Sequence, residues 1–155
     1  MNPMEIDALV AVARLAAREA YCPYSRFPVG AALRDDVGGI HRGCNIENAS
    51  FGLTLCAERA ALARAIGEGH RNFTALALVG GQSGRPAVPC GACLQALAEF
   101  CDGSLPIYLA TPTGEGTADS VDKQRLDDFL PRVFRLEPTH SPGFSEPERT
   151  SNIEH

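Results

Sequence analysis

Cys44-Asn45-Ile46-Glu47-Asn48-Ala49-Ser50-Phe51-Gly52-Leu53-Thr54-Leu55-Cys56-Ala57-Glu58-Arg59 is the stretch on which the reading of this chain turns, and Pro89-Cys90-Gly91-Ala92-Cys93 completes it. Cys56-x-Glu58 is followed 34 positions after Cys56 by Cys90-x-x-Cys93, and both segments stand where a helical pattern begins. Cys56, Cys90 and Cys93 supply three thiolates for Zn²⁺, whereas Glu58 is a carboxylate that need not bind the metal. Three protein ligands leave a fourth position for water, as in catalytic rather than closed structural zinc sites.

Working outward, Thr54 reads as the cap of the helix carrying Cys56, continued by Ala57, Ala60, Ala61, Leu62, Ala65 and Ile66 until Gly67 and Gly69 stop it. Upstream, Val29 to Leu33 and Ile40 to Glu47 read as two strands joined by Arg34-Asp35-Asp36-Val37-Gly38-Gly39, a hairpin. Before the hairpin, Ile6, Leu9, Val10, Ala13, Ala16, Ala17 and Ala20 recur at helical spacing from Met4 to Tyr21, ended by Pro23. Downstream, Phe73 to Val79 is an apolar run without helical periodicity, a buried strand followed by a loop from Gly80 to Pro86. A second helix is expected from about Gly91 to Phe100, a strand from Pro106 to Ala110, a polar loop from Thr111 to Thr117, and a short helix or turn from Leu126 to Pro131. A hairpin followed by alternating strands and helices predicts an α/β fold in three layers, α/β/α, with a mixed sheet of five strands.

A length of 155 residues suits one domain with a real core, so the metal is expected to serve chemistry rather than folding. The domain is expected over 1–136. Glu137 to His155 holds Pro138, Pro142 and Pro147 among polar residues, which predicts a disordered tail. The net charge of −5 offers no basic field for a phosphate backbone, so no nucleic-acid partner is expected. No apolar stretch long enough to span a membrane and no signal-peptide order occurs, which makes the cytoplasm the expected location. Of six cysteines, Cys22, Cys44 and Cys101 fall outside the metal pattern and read as small buried hydrophobes.

Thiolates are favoured at helix N-termini, where backbone N–H groups and the macrodipole stabilise the anion. Three of them leave the Zn²⁺ centre with net charge −1, and Arg59, three residues from Cys56 on the same helix side, is placed to offset it by bonding sulfur. Glu58, near the metal in a first helical turn, is placed to shuttle a proton from water. Cys90-x-x-Cys93 alone also fits a dithiol redox motif, and three cysteines alone fit a structural zinc, but neither accounts for the glutamate. In an extended segment Asn45 and Glu47 share a face opposite Ile46, so an amide and a carboxylate are placed to hold a sugar hydroxyl. A solvated strand face is the plain alternative, as core packing is for Phe27.

Tyr24-Ser25-Arg26-Phe27-Pro28-Val29-Gly30-Ala31-Ala32, Cys44-Asn45-Ile46-Glu47-Asn48-Ala49, Cys56-Ala57-Glu58-Arg59 and Pro89-Cys90-Gly91-Ala92-Cys93 together resemble the small, homotetrameric cytidine deaminases, over about Tyr21 to Phe134. The zinc deaminase pattern is His-x-Glu with Pro-Cys-x-x-Cys, or its three-cysteine form, as here. The resemblance implies the cytidine deaminase-like fold, one Zn²⁺ per subunit on Cys56, Cys90 and Cys93, and Glu58 as proton shuttle. It also implies Asn45 and Glu47 on the ribose, Phe27 and Ala57 against the substrate, and Ala49, Phe51 and Phe134 reaching a neighbouring subunit's pocket. The implied reaction is hydrolytic deamination of cytidine and deoxycytidine to uridine and deoxyuridine, a pyrimidine salvage step. Phe51, Leu55 and Leu94 depart from the family's usual residues. Deamination of another aminated heterocycle and a non-catalytic zinc-stabilised interaction protein are the two other readings. Asn45 and Glu47 weigh against the first and Glu58 against the second.

Overall fold

A computed structural model describes residues 1–82, 84–112 and 120–136. The chain begins with α1 (Pro3–Arg18), whose start is fixed by a reciprocal cap. The Asn2 side chain accepts from the Glu5 N–H at 3.0 Å, and the Glu5 carboxylate accepts from the Asn2 N–H at 2.8 Å. The helix stops at Arg18 rather than Tyr21 because Tyr21 pairs elsewhere: its N–H donates to Asn45 O, and its carbonyl accepts from the Glu47 N–H.

Strands β1 (Gly30–Asp35) and β2 (Ile40–Cys44) form the expected hairpin, with Gly30 opposite Cys44 and Arg34 opposite Ile40. β2 is shorter than predicted. Beyond Cys44 the chain stays extended, but Ile46 pairs with Tyr21 on one side and Leu55 on the other instead of continuing the sheet. A 3-10 turn at Phe51–Leu53 leads into α2 (Ala57–Gly67). Cys56, not Thr54, is the N-cap of α2: Thr54 closes the 3-10 turn, and Leu55 is still paired to Ile46.

Strand β3 (Phe73–Val79) lies antiparallel to β1, and β6 (Pro106–Ala110) lies parallel to β3. Between them come β4 (Gly81–Gln82) and β5 (Arg85–Pro86), a two-stranded ribbon where a loop was expected, and α3 (Gly91–Ala98). An edge strand, β7 (Asp122–Arg125), pairs antiparallel with β6 and precedes the short α4 (Leu126–Phe129). β7 could not be read from the sequence, because an edge strand of polar residues has no apolar alternation. The sheet order is β2-β1-β3-β6-β7, the mixed five-stranded sheet predicted. The expected tail from Glu137 and most of the expected Thr111–Thr117 loop lie outside the described residues.

The core has two parts, one on each sheet face. Leu9, Val10 and Ala13 of α1 pack with Ala32, Ala77 and Tyr108; Ala57, Ala61 and Ala65 of α2 and Leu94 and Leu97 of α3 pack with Leu33, Leu76, Leu78, Ile107 and Leu109. These are the three α/β/α layers. Both neighbouring helices approach the hairpin backbone closely. A Cβ on Gly30 would stand 2.0 Å from Ala13 O, and one on Gly43 would stand 2.3 Å from Ala61 N. The alanine-rich helices and these two glycines are therefore one device, which holds the head of α2 against the strand leading to Asn45. Of the cysteines outside the motif only Cys101 is buried, and burial pushes its thiol up to about 12; Cys22 and Cys44 are half-buried.

Candidate active site

Two helix starts bring the cysteines together. Cys56 and Cys90 are the N-caps of α2 and α3, both in extended conformation, and Cys93 lies buried in the first turn of α3. Cys56 Sγ is 4.0 Å from Cys90 Sγ, and Cys90 Sγ is 3.5 Å from Cys93 Sγ. Sulfurs of a tetrahedral zinc with bonds near 2.3 Å stand about 3.8 Å apart, so the spacing fits the ion closely.

Acidity at the three sulfurs differs. Burial pushes the Cys93 thiol far above its ordinary range, and the Glu58 carboxylate adds to the shift. Burial likewise raises Cys56, outweighing its contacts with Cys93 and Arg59. Burial also acts against ionisation at Cys90, but the Cys93 backbone N–H and the two neighbouring thiols outweigh it and hold the group low. The expected acidification at helix starts is thus seen at Cys90, while at Cys56 and Cys93 desolvation wins. A Zn²⁺ at the point where the sulfurs converge supplies the positive charge that buried thiols need to ionise.

Arg59 stands on the cluster's flank. Its Nη2 donates to Thr54 O at 3.2 Å and reaches Cys56 Sγ at 4.0 Å, while its buried Nε has no hydrogen-bond partner. A half-buried cation whose buried Nε is an unspent donor beside three sulfurs suits a centre whose net charge is −1. The residues present therefore fit zinc.

Glu58 is 4 % exposed, in the first turn of α2. Burial raises its carboxyl above the usual range, against smaller lowering effects from its own backbone N–H, the Cys93 thiol and the Arg59 charge. A carboxyl displaced toward neutrality both accepts and returns protons readily.

Cys56, Ala57, Glu58 and Cys90 form one wall of a cavity of about 320 Å³, and Phe27, Val29, Asn45 and Glu47 form another. The second wall is built by hydrogen bonds. Asn45 Oδ1 accepts from the Val29 N–H and Asn45 Nδ2 donates to Phe27 O, both at 2.9 Å. This leaves the amide one lone pair and one N–H to spare. Glu47 Oε2 accepts from the Tyr24 and Ser25 N–H groups at 2.9 and 3.2 Å, and Glu47 Oε1 accepts from the Ser25 hydroxyl. The Ser25 bond is the chief cause holding the Glu47 carboxyl below its ordinary range. Between these anchored residues Arg26 has φ 56°, the one positive φ outside glycine among the described residues. Ser25 and Phe27, on either side of it, both line the cavity.

Ser25 and Thr54 also line the cavity, although the sequence gives Ser25 no role of its own and Thr54 only that of a helix cap. Ser25 stood in a quoted motif, but its value lies in a bond to a residue 22 positions away. Phe51 lines an adjoining cavity of about 270 Å³ together with Tyr24, Ser25, Glu47 and Thr54, and it meets the Tyr24 ring edge-on. Ala49 and Phe134 are exposed and do not line the cavity; the Phe134 carbonyl accepts from Gln95 Nε2. Leu94 is core, packed on the α2 and α3 side of the sheet.

The fold and site define a zinc-centred α/β/α protein of the deaminase class. Residues 4–109 match the family described as cytidine and deoxycytidylate deaminase zinc-binding region. The chain is 45 % identical over 134 residues to the cytidine deaminase of Sporosarcina psychrophila, covering 86 % of this chain and 94 % of the other. It is 43 % identical to that of Mycobacterium tuberculosis H37Rv, with 88 % and 95 % covered. Among solved structures, cytidine deaminase from Burkholderia pseudomallei superimposes with a TM-score of 0.74 at 43 % identity, covering 82 % and 97 %. The chain belongs to the cytidine and deoxycytidylate deaminase family.

Proposed function

We propose that this protein hydrolytically deaminates cytidine and deoxycytidine to uridine and deoxyuridine, with Zn²⁺ held by Cys56, Cys90 and Cys93. The observation that carries the reading is the buried Glu58 carboxyl in contact with the cysteine cluster and facing the same cavity as Asn45 and Glu47. When bound, zinc supplies Lewis acidity that makes a water molecule nucleophilic toward C4 of the pyrimidine.

Glu58 takes one proton from that water and delivers it to ring N3, then takes the remaining proton of the hydroxyl now on C4 and passes it to the amine, so that the C4–N bond breaks and ammonia leaves. Its environment suits both directions of transfer, because desolvation has already moved the carboxyl toward the neutral form. Arg59 offsets the charge of the thiolates. Glu47, held ionised by Ser25 and the Tyr24 and Ser25 amides, accepts a hydroxyl of the sugar, and the spare valences of Asn45 join it. Phe27 and Ala57 flank the base.

Ala49, Phe51 and Phe134 serve a neighbouring subunit's pocket in a homotetramer. The exposure of Phe51 and Phe134, at 73 % and 67 %, supports this, since large apolar side chains are costly to leave in water. Among the described residues no helix is long and apolar enough to cross a membrane. A small nucleoside substrate and a cytoplasmic location in pyrimidine salvage complete the reading, and the segment from Glu137 is dispensable for it.

Glu58→Gln tests the role of the carboxyl. The variant should keep its zinc and its assembly and lose about 10⁴-fold in turnover, the upper end for acid–base catalysis, because one carboxylate serves successive transfers. Undiminished turnover with zinc bound would place the shuttle elsewhere.

A further inference from the structure

At the opposite end of the hairpin from the cysteines, a second set of metal-type donors converges. Asp35 ends β1, His41 lies in β2, and His70 follows α2. Asp35 Oδ2 stands 2.9 Å from His41 Nε2 and 2.9 Å from His70 Nδ1, and one donor atom from each residue lies within 4.8 Å of the others. We propose that Asp35, His41 and His70 form a second metal site in this chain, selective for Zn²⁺ and similar divalent transition ions.

The cluster is held in place from outside. The register of β1 against β3 shifts between Arg34 and Asp35, and Asp35 is fully buried. Asp35 Oδ1 accepts from the Val37 and Gly39 N–H groups at 3.1 and 2.6 Å, which leaves Oδ2 for the two rings. His41 Nδ1 stands 2.6 Å from Glu68 Oε2, and Arg64 Nε donates to Glu68 Oε1 at 2.8 Å. An outer carboxylate on one ring nitrogen, fixing the other nitrogen as the ligand, is the common arrangement around metal-bound histidine.

The bonding count singles out the same point. His41 has a carboxylate oxygen at each ring nitrogen, Asp35 on one and Glu68 on the other. A neutral imidazole carries one N–H and satisfies one of them. With Nδ1–H on Glu68, the Nε2 lone pair faces the Asp35 carboxylate, and a positive species must lie between them. A second proton is one solution. A metal ion on Nε2, shared with Asp35 Oδ2 and His70 Nδ1, is the other, and it also satisfies His70.

Two imidazoles and one carboxylate select zinc-class ions over Mg²⁺ or Ca²⁺, which prefer all-oxygen shells. Asp35 and His41 are buried while the His70 side chain is 32 % exposed, so the ion has access from solvent and one coordination position is left for water. The site would clip the end of the hairpin to the end of α2.

The test uses the full-length protein with its cysteine site already loaded with zinc. Added Zn²⁺, followed by desalting and metal analysis, should raise the content from one ion per chain to two, and Asp35→Asn and His70→Gln should each return it to one. Added Co²⁺ should give weak d–d absorption without sulfur-to-cobalt charge transfer, as nitrogen and oxygen ligation requires. His70→Gln alters a side chain that is one-third exposed and follows a helix end, so the variant is expected to fold. Saturation of the wild type at one ion per chain, or two ions retained by His70→Gln, would overturn the proposal and leave the cluster as a hydrogen-bonded clasp.

Discussion

The two ends of α2 hold two different kinds of chemistry: the head shares its donors with α3, the tail with β1 and β2. At its head, beside Gly30 and Cys44, sit the sulfurs of Cys56, Cys90 and Cys93 with Glu58; at its tail, about 16 Å away along 11 residues, sit Asp35, His41, Glu68 and His70. The head gathers its donors at helix starts, where amides point outward and buried sulfurs gain from a cation. The tail gathers its donors around one buried carboxylate. A helix start is built from adjacent residues and so leaves a spacing in the sequence. A cluster drawn from β1, β2 and the exit of α2 leaves none.

The sharpest way to separate the two ends is Cys93→Ala. It removes the buried sulfur, so the protein should lose zinc from the cysteine site and all measurable turnover, while Asp35, His41 and His70 stay assembled. Metal analysis together with the amide hydrogen exchange of residues 35–41 would show both halves of that outcome. Exchange protection lost equally at the hairpin end would mean that the two ends are not independent.

Gly43→Ala attacks the element joining them. The added Cβ would stand 2.3 Å from Ala61 N and 2.6 Å from Ala57 O, both backbone atoms of α2. Denaturant unfolding should show a loss of about 3 kcal/mol, the upper end for overpacking. A loss below about 1 kcal/mol would show that α2 shifts freely on the hairpin.

Asp35→Asn probes the tail alone and has the smallest effect. Burial opposes ionisation of Asp35, but the bonds from His41, Gly39 and Val37 and the His70 charge prevail, and its carboxyl lies below the ordinary 3.8. A depressed folded value means that the unfolded chain binds the proton first as pH falls. The stabilisation is therefore complete above the unfolded value and disappears as pH drops through the folded one. Unfolding midpoints measured from pH 5 to pH 2 should fall less steeply in Asp35→Asn than in the wild type.

These contrasts also explain what the sequence let one read. Phe73–Val79 and Pro106–Ala110 were legible to the residue because strands covered on both faces are unbroken apolar runs. Asp122–Arg125 was not, since its residues are polar and only its backbone belongs to the sheet. Thr54 looked like a cap because of its residue type, yet the pairing of Leu55 with Ile46 delays the helix until Cys56 fills that role. The three cysteines that converge at the two helix starts were legible from spacing. The second use of Asn45, bracing Phe27 and Val29, was not, because it depends on where a loop 16 positions upstream returns. His41 and His70 carried no signal at all, being 29 positions apart on elements that only the fold brings together.

Cytidine deamination is assigned to the sulfur end of α2. Purified, zinc-loaded protein mixed with cytidine should convert it to uridine with loss of the cytosine absorbance and release of one ammonia per nucleoside consumed, and deoxycytidine should behave likewise. Intact cytidine and no ammonia, with zinc confirmed at the three cysteines, would contradict the account.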